Sequence, residues 1–223
     1  MSAASRLAPL TGLAAIACII AGLATDHAPT SSWPDARIEQ WYTTHGNAGW
    51  FVSAYLIALG APLMLTFVAV LRERLRQAGA GNLACTILSG AGTTFAATVL
   101  VGAGLYAAVP AAMTFTHSPA PSAGVSRYLL GASYGVLVMF SAFAAALVAL
   151  TVSVTAMRVR ALPRWLAVAG IPAAALMLAN AALPMGIITL WFATTSIALT
   201  VKRPPLHTPH EVAIPAPPQF TAK

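Results

Sequence analysis

The sequence predicts an all-α integral membrane bundle of six transmembrane helices, with a short external amphipathic helix between the first and second. Three observations carry that expectation. First, of 223 residues 58% are hydrophobic and only 8% are charged, where a soluble domain carries about 25% charge. Second, the apolar residues gather in runs of the length a bilayer requires, about 20 residues each. Third, Lys and Arg cluster at alternate boundaries of those runs, as topology determinants do. The spans are expected at about 7–25, 48–71, 83–109, 128–157, 165–183 and 184–201, forming one domain over 1–203. A Pro-rich tail, 204–223, is expected to be disordered and cytoplasmic.

The first apolar run, Leu7 to Ala24, follows Arg6. Gly22-x-Ala24 resembles a small-residue cleavage site, so a signal peptide is one reading. A retained first helix is the simpler one, because further spans follow. Residues Thr25 to Asn47 form an external segment whose second half, Asp35 to Thr44, is expected to be helical. Ser32 is placed to cap it, with Asp35 three residues on. Pro34, Ile38, Trp41, Tyr42 and His45 recur at helical spacing and share one face. Such a helix is expected to lie flat on the outer membrane surface, with Trp41 and Tyr42 turned toward lipid or the bundle. Glu39, Trp41 and His45 would then belong to an external lid over the ends of the spans. The competing arrangement extends the second span upward. Gly46, Asn47 and Gly49 argue for a break instead, since an interior glycine costs about 1 kcal/mol.

The second span contains Gly60-Ala61-Pro62, where a kink is expected. The third is rich in small residues, and the fourth carries Gly131 and Gly135 in a GxxxG. Close packing is expected between Gly92 and Ala96 on one and Gly131 and Gly135 on the other. A second external loop is expected over Pro110 to Ser126, and a tight turn near Pro184. Cys18 and Cys85 have no metal or disulfide spacing and read as buried small residues.

With six spans, Arg6, Arg72, Arg74, Arg76, Arg158, Arg160, Arg164, Lys202 and Arg203 all fall on one side. The opposite side holds Arg37 and Arg127 against Asp26, Asp35 and Glu39. Both termini are therefore expected in the cytoplasm of a bacterium, with the chain in its plasma membrane. The net charge of +7 is accounted for by these clusters, so no nucleic-acid partner is expected. Leu71-Arg72-x-x-Leu75-Arg76 closes the second span and Pro163-Arg164-Trp165-Leu166 opens the fifth. With the acidic, Trp- and His-bearing external helix, these boundaries resemble an uncharacterised family of small six-helix bacterial membrane proteins of unknown function. The resemblance covers nearly the whole chain and implies no catalytic residues.

No Asp, Glu, Lys, Arg or His lies deep in an apolar run. That argues against a proton relay and against axial haem histidines. The polar residues in the spans read first as helix–helix hydrogen bonds. The functional alternative is a ligand cavity around Asn180, Tyr134 and Thr94. Asp26, His27, Asp35, Glu39 and His45 are metal-ligand types in one segment, but no ligand pattern joins them, so no metal or cofactor is expected. No catalytic motif appears, so an enzyme is not expected. The expected role is binding or interaction, with a membrane partner or a hydrophobic small molecule. The alternatives are a permease-like transporter and, more weakly, a membrane enzyme using the external Asp, His and Glu residues. Expected partners are the lipid bilayer and another membrane protein or a second copy as a homodimer.

Overall fold

The computed structural model describes residues 7–25, 29, 32–44, 48–179 and 185–201. These form eight helices: α1 Ala8–Ala24, α2 Asp35–Thr44, α3 Ala48–Gln77, α4 Asn82–Tyr106, α5 Ala108–Phe115, α6 Ala123–Val159, α7 Arg164–Ala179 and α8 Met185–Val201. There is no strand among the described residues. Three helices, α3, α4 and α6, are long and apolar enough to cross a membrane. The other three helices expected as spans are shorter apolar elements: Ala8–Ala24, Arg164–Ala179 and Gly186–Val201. At about 1.5 Å per residue their described parts are about 25 Å long, and each borders residues outside the described ones.

Several boundaries differ from expectation, each for a local reason. Helix α3 includes the exposed Pro62 and continues past residue 71 to Gln77. That extra turn is charged rather than apolar. Arg76 donates twice to Glu73 at 3.0 Å, and Gln77 Nε2 donates to it at 2.9 Å, holding the Glu73 carboxyl below its usual range. The helix stops where Gly79 takes φ +94°, with Ala80 N–H donating to Leu75 O at 2.9 Å and Gly79 N–H to Arg76 O at 3.0 Å. This is the paired C-terminal bonding that a left-handed residue permits. The expected loop from Pro110 is instead half helix, since α5 spans Ala108–Phe115. Pro110 sits in its first turn, where a missing N–H costs nothing. Helix α6 begins at Ala123, earlier than expected. It is interrupted by a π-helical stretch, Gly135–Phe140, and ends at Arg160 with φ +54°.

The helices alternate in direction. Gly12 of α1 faces the Phe67 ring and Gly22 faces Ser53 and Ile57, so α1 runs antiparallel to α3. A methyl group at Gly22 would lie 2.8 Å from Ser53 O, so only glycine admits this approach. Ser53 Oγ in turn donates to Thr25 O at 3.1 Å. Ser196 of α8 donates to Pro9 O at the start of α1. Trp191 Nε1 donates to Leu166 O across α7 and α8 at 3.0 Å. Arg74 reaches Leu199 O at 3.4 Å, bringing the ends of α3 and α8 together.

Helices α4 and α6 do pack, but not through the glycines expected to join them. Gly92 faces Val68 of α3, and Gly131 and Gly135 have no neighbour within 4 Å. The contact runs through Gly102 against Leu137, with Ser133 Oγ donating to Gly102 O at 2.9 Å. Ser133 lies two positions from both Gly131 and Gly135, hence on the opposite face of the helix. The sequence pattern marks a small face without saying which way it turns.

Candidate functional site

Two places in the fold bring side chains together in a way that a function could use. One is the end of the bundle covered by α2. The other lies inside the bundle.

The first is aromatic. Ile38 and Tyr42 of α2 are buried against Trp50 and Ala54 of α3, Tyr106 of α4, Val109 of α5, and Ala123 and Leu130 of α6. Tyr42 stacks on Trp50 with ring centres 5.6 Å apart, and Trp41 meets both rings edge-on at 5.3 Å. Trp50 meets Tyr106 edge-on at 5.5 Å. Each such pair contributes about 0.5–1.5 kcal/mol beyond area burial, so α2 is docked onto the helix ends. It does not continue α3 upward, and Trp41 and Tyr42 turn toward the bundle. Arg127 of α6 fastens the start of α2: Nη1 lies 2.6 Å from Asp35 Oδ1 and Nη2 donates to Trp33 O at 2.6 Å. Arg37 rests over the Trp33 ring at 4.0 Å.

This cap also holds unsatisfied polarity. Trp50 Nε1, Tyr42 Oη and Arg127 Nε are buried without a hydrogen-bond partner among the described residues. Burial pushes the Tyr42 phenol above its ordinary value, and the neighbouring Ser126 hydroxyl offsets part of that. Ser126 itself donates to Ser122 O at 3.2 Å, so its proton is engaged elsewhere. Of the residues expected to form a lid, Trp41 is in this cluster, Glu39 is exposed on the outer face of α2, and His45 lies outside the described residues. Asp26 and His27 lie outside them too. Among the described residues no three His, Cys, Asp or Glu side chains come together.

The second place is a cavity of about 80 Å³ where α1, α3, α4, α6, α7 and α8 meet. Ile16, Ile19, Ile20 and Leu23 of α1 form one wall, and Leu137, Val138, Ser141, Ala142 and Ala145 of α6 another. Ile57, Phe95, Met177 and Phe192 close it from the remaining helices. Of the lining residues only Ser141 and Thr189 carry a side-chain hydroxyl. The Ser141 hydroxyl donates to Leu137 O within its own helix, so it is not offered to the cavity. A buried water needs 2–4 polar partners, and this lining does not supply them. The space suits an apolar occupant.

Of the residues expected around a ligand cavity, Thr94 and Tyr134 are not in the lining of this one. Thr94 is exposed and donates to Gly90 O at 2.9 Å. Tyr134 sits on the partly exposed side of α6, and Asn180 lies outside the described residues. The wall includes the π-helical stretch of α6, whose extra residue per turn leaves no mark in an apolar sequence. π-turns inside α-helices are frequent at functional sites.

These features define an all-helical protein with three membrane-length apolar helices, an aromatic cap at one end and a hydrocarbon-lined cavity within. The chain matches no protein-family model, no curated protein and no solved structure.

Proposed function

We propose that this chain is a six-span integral membrane protein of the bacterial plasma membrane that binds a hydrophobic small molecule between its helices. The cavity carries the reading: about 80 Å³ of space lined almost wholly by hydrocarbon, at the junction of all six apolar helices. A solid core would have left no room for a ligand. The resemblance to small six-helix bacterial membrane proteins belongs to this proposal.

The placement of charge supports the topology. Arg72, Arg76, Arg158, Arg160 and Arg164 are exposed and lie at the end of the bundle away from α2, which agrees with a cytoplasmic face there. Thermal unfolding in detergent tests the binding role. A saturable rise in midpoint with an added hydrophobic small molecule, abolished in Ala145→Phe, supports it, because a ligand that binds only the folded state stabilises it. No rise with any such compound rejects it. Cysteine labelling at Gly81 and Ser122 tests the topology, and labelling of Gly81 from outside intact cells rejects it.

A second reading, association with another membrane protein or a second copy, is favoured by one observation. A methyl group added at Gly90, Gly104, Gly131 or Gly135 would meet nothing within 4 Å among the described residues, so the contacts described make no use of their smallness. In membranes small surfaces allow close helix approach. Cross-linking in native membranes, compared between the parent chain and Gly131→Leu, tests it.

A further inference from the structure

The reading of a hydrophobic ligand leaves open its shape and its route, and the cavity bears on both. We infer that the cavity accepts the unbranched hydrocarbon chain of a membrane amphiphile, entering sideways from the bilayer past α1, with the π-helical turn of α6 as the wall that makes room for it. The inference rests on the binding role proposed above and narrows it to one ligand class.

Size is the first argument. An engineered dry cavity of about 150 Å³ holds a benzene ring. The present space, about 80 Å³, is roughly half that and too small to enclose a ring. A polymethylene chain is narrower, and need place only part of its length inside.

The second argument is the position of the mouth. Two lining residues are strongly exposed, Ile20 at 51% and Leu23 at 37%, and both belong to α1. The exposed part of the lining therefore lies along α1, on the flank of the bundle. In a bilayer that flank faces lipid tails, so chains are the most concentrated species at the entrance. At the α2 end the packed aromatic cluster covers the ends of α3, α4 and α6.

The third argument is the wall itself. Leu137 and Val138 belong to the π-helical stretch and line the cavity. Beside it, Met139 and Phe140 are 54% and 58% exposed. The wider turn displaces the backbone relative to an α-helix at the level where the lining recedes. Removing one residue from a π-turn restores α-helical register without changing which faces the flanking segments present.

The test uses the full chain in phosphatidylcholine vesicles and two photoreactive probes. One is palmitic acid with a mid-chain diazirine, and the other a compact aryl diazirine. The expected result is chain-probe adducts on α1 or on Gly135–Phe140 that excess palmitic acid competes away. Ile20→Trp, a change at an already exposed position, is expected to reduce them about tenfold or more. Deleting Met139 is expected to do the same, and thermal unfolding verifies that each variant folds. Saturable labelling by the aryl probe alone overturns the chain inference while leaving a hydrophobic site standing. Chain adducts that palmitic acid cannot compete mean ordinary lipid contact and overturn it as well. No saturable labelling by either probe removes both this inference and the binding role on which it rests.

Discussion

The two ends of this molecule's chemistry sit one above the other and solve opposite problems. The α2 cap is built from large, directional groups: stacked and edge-on rings, an arginine clamped between Asp35 and Trp33 O, and an arginine lying on an indole. The cavity region is built from aliphatic side chains with hardly any directional contact. The cap spends area and geometry on holding a polar helix against the bundle, yet leaves donors orphaned. The cavity region turns its Ser141 hydroxyl back to Leu137 O and leaves volume unfilled. In the cap, a lost side chain has no replacement. Beside the cavity, a displaced side chain has somewhere to go.

Four predictions bear on that contrast. The largest effect is expected at Trp50, which touches Trp41, Tyr42 and Tyr106. Trp50→Ala is expected to cost about 3–5 kcal/mol, the range for truncating a buried Trp. Hydrogen exchange in 35–44 should rise with it. Unchanged protection of α2 would show that the aromatic cluster does not hold the cap.

The next effect separates the regions directly. A methyl at Gly170 meets Ser153 and the Trp191 ring, whereas one at Gly102 meets Leu137, which lines the cavity. Overpacking costs about 1–3 kcal/mol. Gly170→Ala is expected at the top of that range and Gly102→Ala at the bottom, because Leu137 can move into open space. Denaturation in mixed micelles reads both, and equal costs would mean that the cavity does not yield.

Smaller again is Tyr42→Phe. The buried phenol has no hydrogen-bond partner among the described residues, so removing its oxygen is expected to leave stability unchanged or raise it by about 1 kcal/mol. The pH dependence follows the same group. Its pKa is raised by burial, so the neutral phenol is favoured in the fold. That contribution is fully present below the ordinary value of 10.0 and is lost as pH climbs through the raised value. The parent should weaken in alkali more than Tyr42→Phe does, and parallel alkaline profiles would count against a buried phenol. The smallest effect is expected for Asp35→Asn. Asp35 is 70% exposed in its pair with Arg127, and such surface pairs contribute about 0–1 kcal/mol. A change beyond that range would place Asp35 in a more demanding role.

Much of the fold was legible in the sequence, and the parts that were not share a cause. Helix α2 occupies Asp35–Thr44, the stretch expected, because a mixed apolar and charged face leaves a period to read. The inner helices announce themselves by length alone. Within a uniformly apolar helix there is no such period, so nothing in the residues of α4 or α6 states which face turns inward. Gly131 and Gly135 were therefore assigned to a contact that Ser133 and Leu137 make. The cavity escaped for a related reason. Hydroxyls and an amide stand out in an apolar sequence, but Thr94 returns its proton to Gly90 O, and this space lies among isoleucines and leucines that look like every other part of the spans. The aromatic cap was half legible: Trp41 and Tyr42 were singled out, but Trp50 and Tyr106, on separate helices, become partners only through the fold.

The lengths of the two longest helices have a consequence for the proposed membrane setting. Helix α6 has 37 residues and α3 has 30. At about 1.5 Å per residue they are about 55 and 45 Å long, against a hydrocarbon core of about 30 Å. In a bilayer the surplus is taken up by tilt or stands in the headgroup region and water. The exposed Arg72 and Arg76 of α3 and Arg158 of α6 lie in that surplus, at the same end of the bundle. That end would therefore present cations at the level where anionic headgroups concentrate.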